Sequence, residues 1–162
     1  MWSIIEHAIE QATEQPFTIK HKKQATGGDI NLCFWISDHQ HDYFVKLNSR
    51  DHLEHFESEA YALEHIRQSQ QIDCPDVITL GVTLDKAFLV LSYIPFESPQ
   101  SLDWYQLGQQ LAYMHKHATH GQFGWQHDNY IGETRQPNQW QSNWRMFFAE
   151  QRIAWQLQLL YE

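Results

Sequence analysis

Lys46 closes the apolar run Tyr43-Phe44-Val45, and Glu59 follows thirteen residues later inside Phe56-Glu57-Ser58-Glu59-Ala60. A lysine ammonium is a compact cation that can bridge phosphate oxygens. Partly buried, it needs a carboxylate partner, or desolvation favours its neutral form. Leu53, Phe56, Ala60, Leu63 and Ile66 recur at helical period. At about 100° per residue, Glu59 falls within that apolar face, whereas Glu54 and Glu64 project outward and Glu57 lies near its border. The expected chemistry is therefore a strand lysine presented to phosphate and a helix glutamate holding the lysine. Gly27-Gly28, in the turn Thr26-Gly27-Gly28-Asp29, would let backbone approach a phosphate without a side chain intervening. A Gly-Gly turn alone is more often a simple hairpin, and a strand lysine alone more often faces solvent; only the ordered set points to phosphate.

The elements that must position these groups are readable from hydrophobic period. Trp2, Ile5, Ile9 and Ala12 predict a helix over residues 2–14, ended by Pro16. Residues 17–25 predict a strand. Ile30, Leu32, Phe34 and Ile36 alternate, as do Tyr43, Val45 and Leu47, predicting two more strands joined by a turn over 37–42. A helix is expected over 50–70, then strands at 77–83 and 87–93. Pro95, Ser98 and Pro99 mark a linker. A helix follows over 101–118, with Leu107, Leu111 and Met114 on one stripe. Residues 119–139, rich in Gly, Asn and Gln, are expected as loop. A last helix over 142–160 is apolar nearly all round.

This order predicts an α+β fold: a protein-kinase-like N-terminal lobe, with a five-stranded antiparallel sheet and one helix after its third strand, followed by the first helices of a C-terminal lobe. The expected boundaries are a nucleotide-binding lobe at 1–94, a hinge at 95–100 and the start of a helical lobe at 101–162. The 162 residues suffice for a buried core. A net charge of −9 argues against nucleic acid or an anionic membrane as partner, though not against a small phosphate ligand. No apolar run is long enough to cross a membrane, and no signal peptide is visible at the N-terminus. Cys33 and Cys74 have no metal or redox spacing and read as free thiols in a reducing cytoplasm.

Thr26-Gly27-Gly28-Asp29-Ile30-Asn31, Tyr43-Phe44-Val45-Lys46-Leu47-Asn48 and Phe56-Glu57-Ser58-Glu59-Ala60 resemble the fructosamine-3-kinase (ketosamine kinase) family. Phe88 to Tyr93, Leu107 to Ala112 with Met114-His115, and Phe123-Gly124 extend the likeness. Gln136-Pro137-Asn138-Gln139-Trp140 with Trp144, Phe147-Phe148 and Glu150-Gln151-Arg152 is its most specific part. The resemblance implies an enzyme that phosphorylates a sugar hydroxyl of ketosamines, on amines or protein lysines, using ATP and magnesium. It implies that Lys46 binds phosphates, Glu59 holds Lys46, Gly27 and Gly28 lie over the phosphates, and Ser92, Tyr93 and Ile94 form the hinge to adenine. Some members of the family carry a cysteine in the phosphate loop; here Asp29 follows the glycines, and Cys33 reads as core.

The family's catalytic His-Gly-Asp-Leu-Trp motif and its later Asp-Pro-Ala segment have no counterpart in these 162 residues. His127-Asp128-Asn129 matches a different loop, before Ile131-Gly132. No catalytic base and no metal ligand is therefore assigned here, and the polypeptide alone is expected not to catalyse transfer, which needs both. The eleven histidines read as surface groups, since His52 and His55, a helical turn apart, lack visible carboxylate support. Trp140, Trp144 and Trp155 read as packing rather than an amine cage. Two alternatives stand beside this reading: an aminoglycoside- or choline-kinase-like phosphotransferase, and a non-catalytic module that self-associates through its apolar surface.

Overall fold

The computed structural model describes residues 1–26, 30–117 and 121–161. Gly27, Gly28, Asp29 and His120 lie outside the described residues. Helix α1 (Trp2–Thr13) precedes β1 (His21–Ala25), β2 (Leu32–Ser37) and β3 (Asp42–Ser49). A 3₁₀ turn at Arg50–His52 leads into α2 (Leu53–Ser69), then β4 (Val77–Val82) and β5 (Lys86–Ser92). The five strands form one antiparallel sheet in the order β1-β2-β3-β5-β4.

Alternation along the strands sorts the core into two faces. Tyr43, Val45, Leu47, Phe88 and Val90 pack with Ile5 and Ile9 of α1. Ala87, Leu89 and Leu91 pack with Phe56 of α2, and Phe44, Leu53, Ala60 and Leu63 join them. Covered on both sides, β5 is buried at consecutive positions from Ala87 to Leu91. Lys46, of the same parity as Phe44, thereby faces α2.

The strand expected over 17–25 begins only at His21. The reason is local: Glu10 Oε1 accepts the Phe17 N–H at 3.1 Å, and Glu6 Oε1 accepts that of Ile19 at 2.7 Å. Carboxylates of α1 thus take amides that a longer strand would donate elsewhere. Phe17 still enters the core, edge-on to Tyr43.

After β5 come α3 (Ser101–His117), β6 (Asn129–Ile131), β7 (Thr134–Gln136), α4 (Trp144–Phe148), a π-helical stretch at Ala149–Ala154 and α5 (Trp155–Tyr161). The expectation of unbroken loop over 119–139 is corrected by the β6–β7 hairpin. Its two-residue turn is Gly132-Glu133, with Gly132 at φ +63°, the glycine-first pattern of tight hairpins. Three-residue strands are too short to declare a period, but Gly132 between Tyr130-Ile131 and Thr134 was a usable signal. Among the described residues no helix is long and apolar enough to cross a membrane.

Candidate functional site

Strand β3 carries Lys46 and α2 carries Glu59, and the two meet. Lys46 Nζ donates to both Glu59 carboxylate oxygens, at 2.8 and 2.7 Å. Their side chains are 21% and 33% exposed, so solvent screens the pair and its net contribution to stability is at most about 1 kcal/mol. Its value is positional: the glutamate fixes where the ammonium points. Phe56, one turn earlier on α2 and almost fully buried, sets the helix against the sheet.

The pair lines a cavity of about 340 Å³, together with Ile30 and Asn31, which follow Gly27-Gly28-Asp29 in the sequence, and His52, His55 and Tyr130. Asn48 Nδ2, at the end of β3, donates to Asn31 Oδ1 at 2.9 Å and to the Ile30 carbonyl at 3.2 Å. This amide ties Ile30 and Asn31 to the lysine's own strand. Cys33 pairs with Lys46 in the strand register and so shares its face of the sheet. Burial raises the Cys33 thiol above its ordinary value, Lys46 opposing this and Glu59 adding to it. Cys33 and Cys74 are both free thiols.

Ser92, Tyr93 and Ile94 lie at the far end of β5 and do not line this cavity. Lys46 stands opposite Leu89, and Ser92 is three residues further, about 10 Å along the strand. Ser92 donates its amide to the Asp76 carbonyl at 2.9 Å and accepts the Asp76 amide on its Oγ. Tyr93 donates to the Asp42 carbonyl at 3.4 Å. Of the three, only Ile94 has no backbone hydrogen bond to another described residue.

A second constellation joins the later loops. Asn138, buried, donates from Nδ2 to the His127 carbonyl and to Asn129 Oδ1, and its amide reaches Asp128 Oδ1 at 3.0 Å. Arg152, from the π-helical stretch, donates to Asn138 Oδ1 at 2.5 Å and to the Pro137 carbonyl at 2.6 Å, with its guanidinium over the Phe147 ring. Pro137-Asn138 with Arg152 is thus a clamp on the segment His127-Asp128 and the start of β6. Asn138→Ala removes the three bonds of its side chain, to His127, Asn129 and Arg152, but keeps the main-chain N–H to Asp128, and should cost about 1–3 kcal/mol. Thermal or urea unfolding of the variant should show that loss.

The reading of His52 and His55 as unsupported surface groups needs correction. Glu133, at the tip of the β6–β7 turn, places Oε2 2.7 Å from His52 Nε2, and Ser49 Oγ lies 2.7 Å from His52 Nδ1. His55 stacks on Tyr130, with ring centroids 3.5 Å apart. Burial, then the neighbouring His52, lowers the His55 pKa. Sequence spacing held no sign of Glu133, 81 residues from His52.

Trp144 meets Phe123 edge-on and Phe147 and Phe148 at a tilt, but at 52% exposure it lies at the surface rather than in the core. Helix α3 leaves Leu107 and Leu111 of its stripe exposed, at 40% and 41%.

A five-stranded antiparallel sheet whose third strand offers a lysine to a glutamate on the following helix defines a protein-kinase-like lobe. The match to the fructosamine kinase family extends over residues 1–162, and the chain belongs to that family. It is 41% identical over 163 residues to a "probable ketoamine kinase" of Vibrio vulnificus, covering all of this chain and 57% of that protein. A "probable ketoamine kinase" of Synechocystis is 40% identical over 158 residues, covering 98% of this chain and 54% of its own. A crystal structure described as a "putative fructosamine-3-kinase" from Haemophilus somnus superposes with a TM-score of 0.92 at 30% identity, over 98% of this chain and 54% of that one. The chain therefore spans little more than half the length of these relatives.

Proposed function

We propose that this chain is the ATP-binding part of a ketosamine kinase that phosphorylates a sugar hydroxyl of glycated amines or proteins. The observation that carries the reading is the Lys46–Glu59 pair inside a cavity bordered by Ile30 and Asn31. Lys46 would contact the phosphates, Glu59 would orient it, and Gly27 and Gly28 would lie over them. Adenine would sit at Ser92, Tyr93 and Ile94, about three strand residues away, with the Ile94 amide as the donor not already committed to the sheet. Bound ATP supplies the phosphoryl group; magnesium would accompany it, and none of this chain's residues is assigned to the metal. The proposed division is a nucleotide-binding lobe at 1–94, a hinge at 95–100 and helices of a second lobe at 101–162. The free thiols fit a reducing cytoplasm.

ATP titrated with magnesium into the purified 162-residue polypeptide should give saturable binding, read calorimetrically. The same polypeptide should transfer no phosphate to a fructosyl-lysine peptide, because no residue here is assigned as base. Absence of nucleotide binding would sink the first part of the reading, and measurable transfer the second. The ketosamine class, over aminoglycosides or choline, is favoured by the likeness to the two ketoamine kinases above.

The exposed apolar faces of α3 and of Trp144–Tyr161 also lead us to expect self-association of the isolated polypeptide. Light scattering across a hundredfold concentration range should show growth in mass; a constant monomer would count against it.

A further inference from the structure

We propose that His52, His55 and Glu133 form a binding site for a divalent transition-metal cation, with zinc the best match. The proposal does not rest on the nucleotide reading. One ring nitrogen from each histidine and one Glu133 carboxylate oxygen all lie within 4.8 Å of one another. Tetrahedral zinc with ligands at about 2.0–2.1 Å sets its ligand atoms about 3.3 Å apart. The 2.7 Å His52–Glu133 separation would open slightly and the longest separation would close, changes within reach of side-chain rotation.

Two features point to a ligand rather than to a surface ion pair. The first is His55. Both its ring nitrogens are sealed from solvent and neither has a hydrogen-bond partner. A buried nitrogen without a partner costs about 1–3 kcal/mol, and such groups are rare in folded proteins. The ring is nonetheless held in place, stacked on Tyr130 and 4.7 Å from the His52 ring. Ligation would give one of those nitrogens its partner. The second is His52, whose Nδ1 lies 2.7 Å from Ser49 Oγ. Without a metal, Nε2–H donates to Glu133; with one bound, Nδ1–H would donate to the Ser49 hydroxyl and leave Nε2 free to ligate. An oriented imidazole backed by an oxygen on its other nitrogen is the usual support of a metal-binding histidine.

Two imidazoles and one carboxylate suit zinc, and more weakly cobalt or nickel; magnesium and calcium prefer oxygen donors. Three protein ligands leave a fourth position for water. The ion would staple the tip of the β6–β7 hairpin to the start of α2, the helix that carries Glu59. His52 and His55 also line the cavity that Lys46 faces.

The test is a titration of the chelator-stripped 162-residue chain with zinc sulfate alone, and with cobalt chloride for its visible spectrum. Wild type should take up one tight equivalent, give the intense absorption of tetrahedral cobalt and melt at a higher temperature with zinc. Glu133→Gln and His55→Gln should each weaken that equivalent at least tenfold and lose the thermal shift. His117→Gln, on exposed α3, should match wild type, which separates the site from the other histidines. Wild-type zinc affinity in Glu133→Gln would overturn the proposal, as would absence of a tight equivalent in wild type. Should His55→Gln fail to fold, exposed Glu133 still decides the question.

Discussion

Lys46→Ala is expected to weaken ATP binding roughly 10- to 100-fold while shifting the melting temperature little. The two effects separate because the ammonium does two unequal jobs. Toward phosphate, it makes charge-assisted hydrogen bonds worth about 1.5–3 kcal/mol each. At about 1.4 kcal/mol per tenfold, one such bond accounts for the expected loss. Toward Glu59, it makes a partly exposed ion pair of small net worth. Its removal leaves the glutamate carboxylate 33% exposed and able to take water instead. Glu59→Gln should also weaken binding, but less, because the ammonium survives and loses only its guide. Calorimetric titration of the three proteins with ATP checks the ranking. Equal affinity in wild type and Lys46→Ala would remove the phosphate role from Lys46 and favour a non-catalytic, self-associating module.

Phe56→Ala is expected to cost about 3–5 kcal/mol of stability, as a buried phenylalanine does when truncated to a methyl group. Against a total of about 5–15 kcal/mol, this brings the polypeptide close to unfolding at room temperature. Phe56 is 1% exposed and packs on Ala87, Leu89 and Leu91 of β5. Its neighbours Leu53, Ala60 and Leu63 cannot fill the void, since all three lie on the same helix and would have to move with it. The consequence reaches the site. Glu59 follows Phe56 by less than one turn, so a helix that slides or tilts on the sheet carries the carboxylate away from Lys46. Phe56→Leu, which keeps most of the volume, should recover most of both stability and ATP affinity. Urea unfolding measures the first and calorimetry the second. A loss below about 1 kcal/mol for Phe56→Ala would mean that Phe56 does not hold α2 in place.

The sheet was legible because β2 and β3 alternate in hydrophobicity, while β4 and β5 read as short apolar runs around a tight turn, β5 being covered on both faces. Ile36 is buried on one face, Val45 and Leu47 on the same one, and the parity of Lys46 follows. Glu59 was legible for the same reason in the other period: its helical phase, set by Phe56, Ala60 and Leu63, turns it toward the sheet. The last segment departs from a simple helix. Asn143 caps it, its Oδ1 accepting the Arg145 amide at 2.9 Å, and the stretch Ala149–Ala154 winds as π-helix where Arg152 reaches back to Asn138.

Sequence alone determined the strand lysine, the helix that answers it and the family whose motifs they share, because these rest on period and on short-range spacing. Only the tertiary structure decided what meets across distance. The Asn138–Arg152 clamp and the grouping of Glu133 with His52 and His55 depend on where a two-residue turn and a widened helix deliver single side chains. Such placements carry no repeating pattern along the chain, since one polar contact between elements far apart in sequence needs only one residue from each.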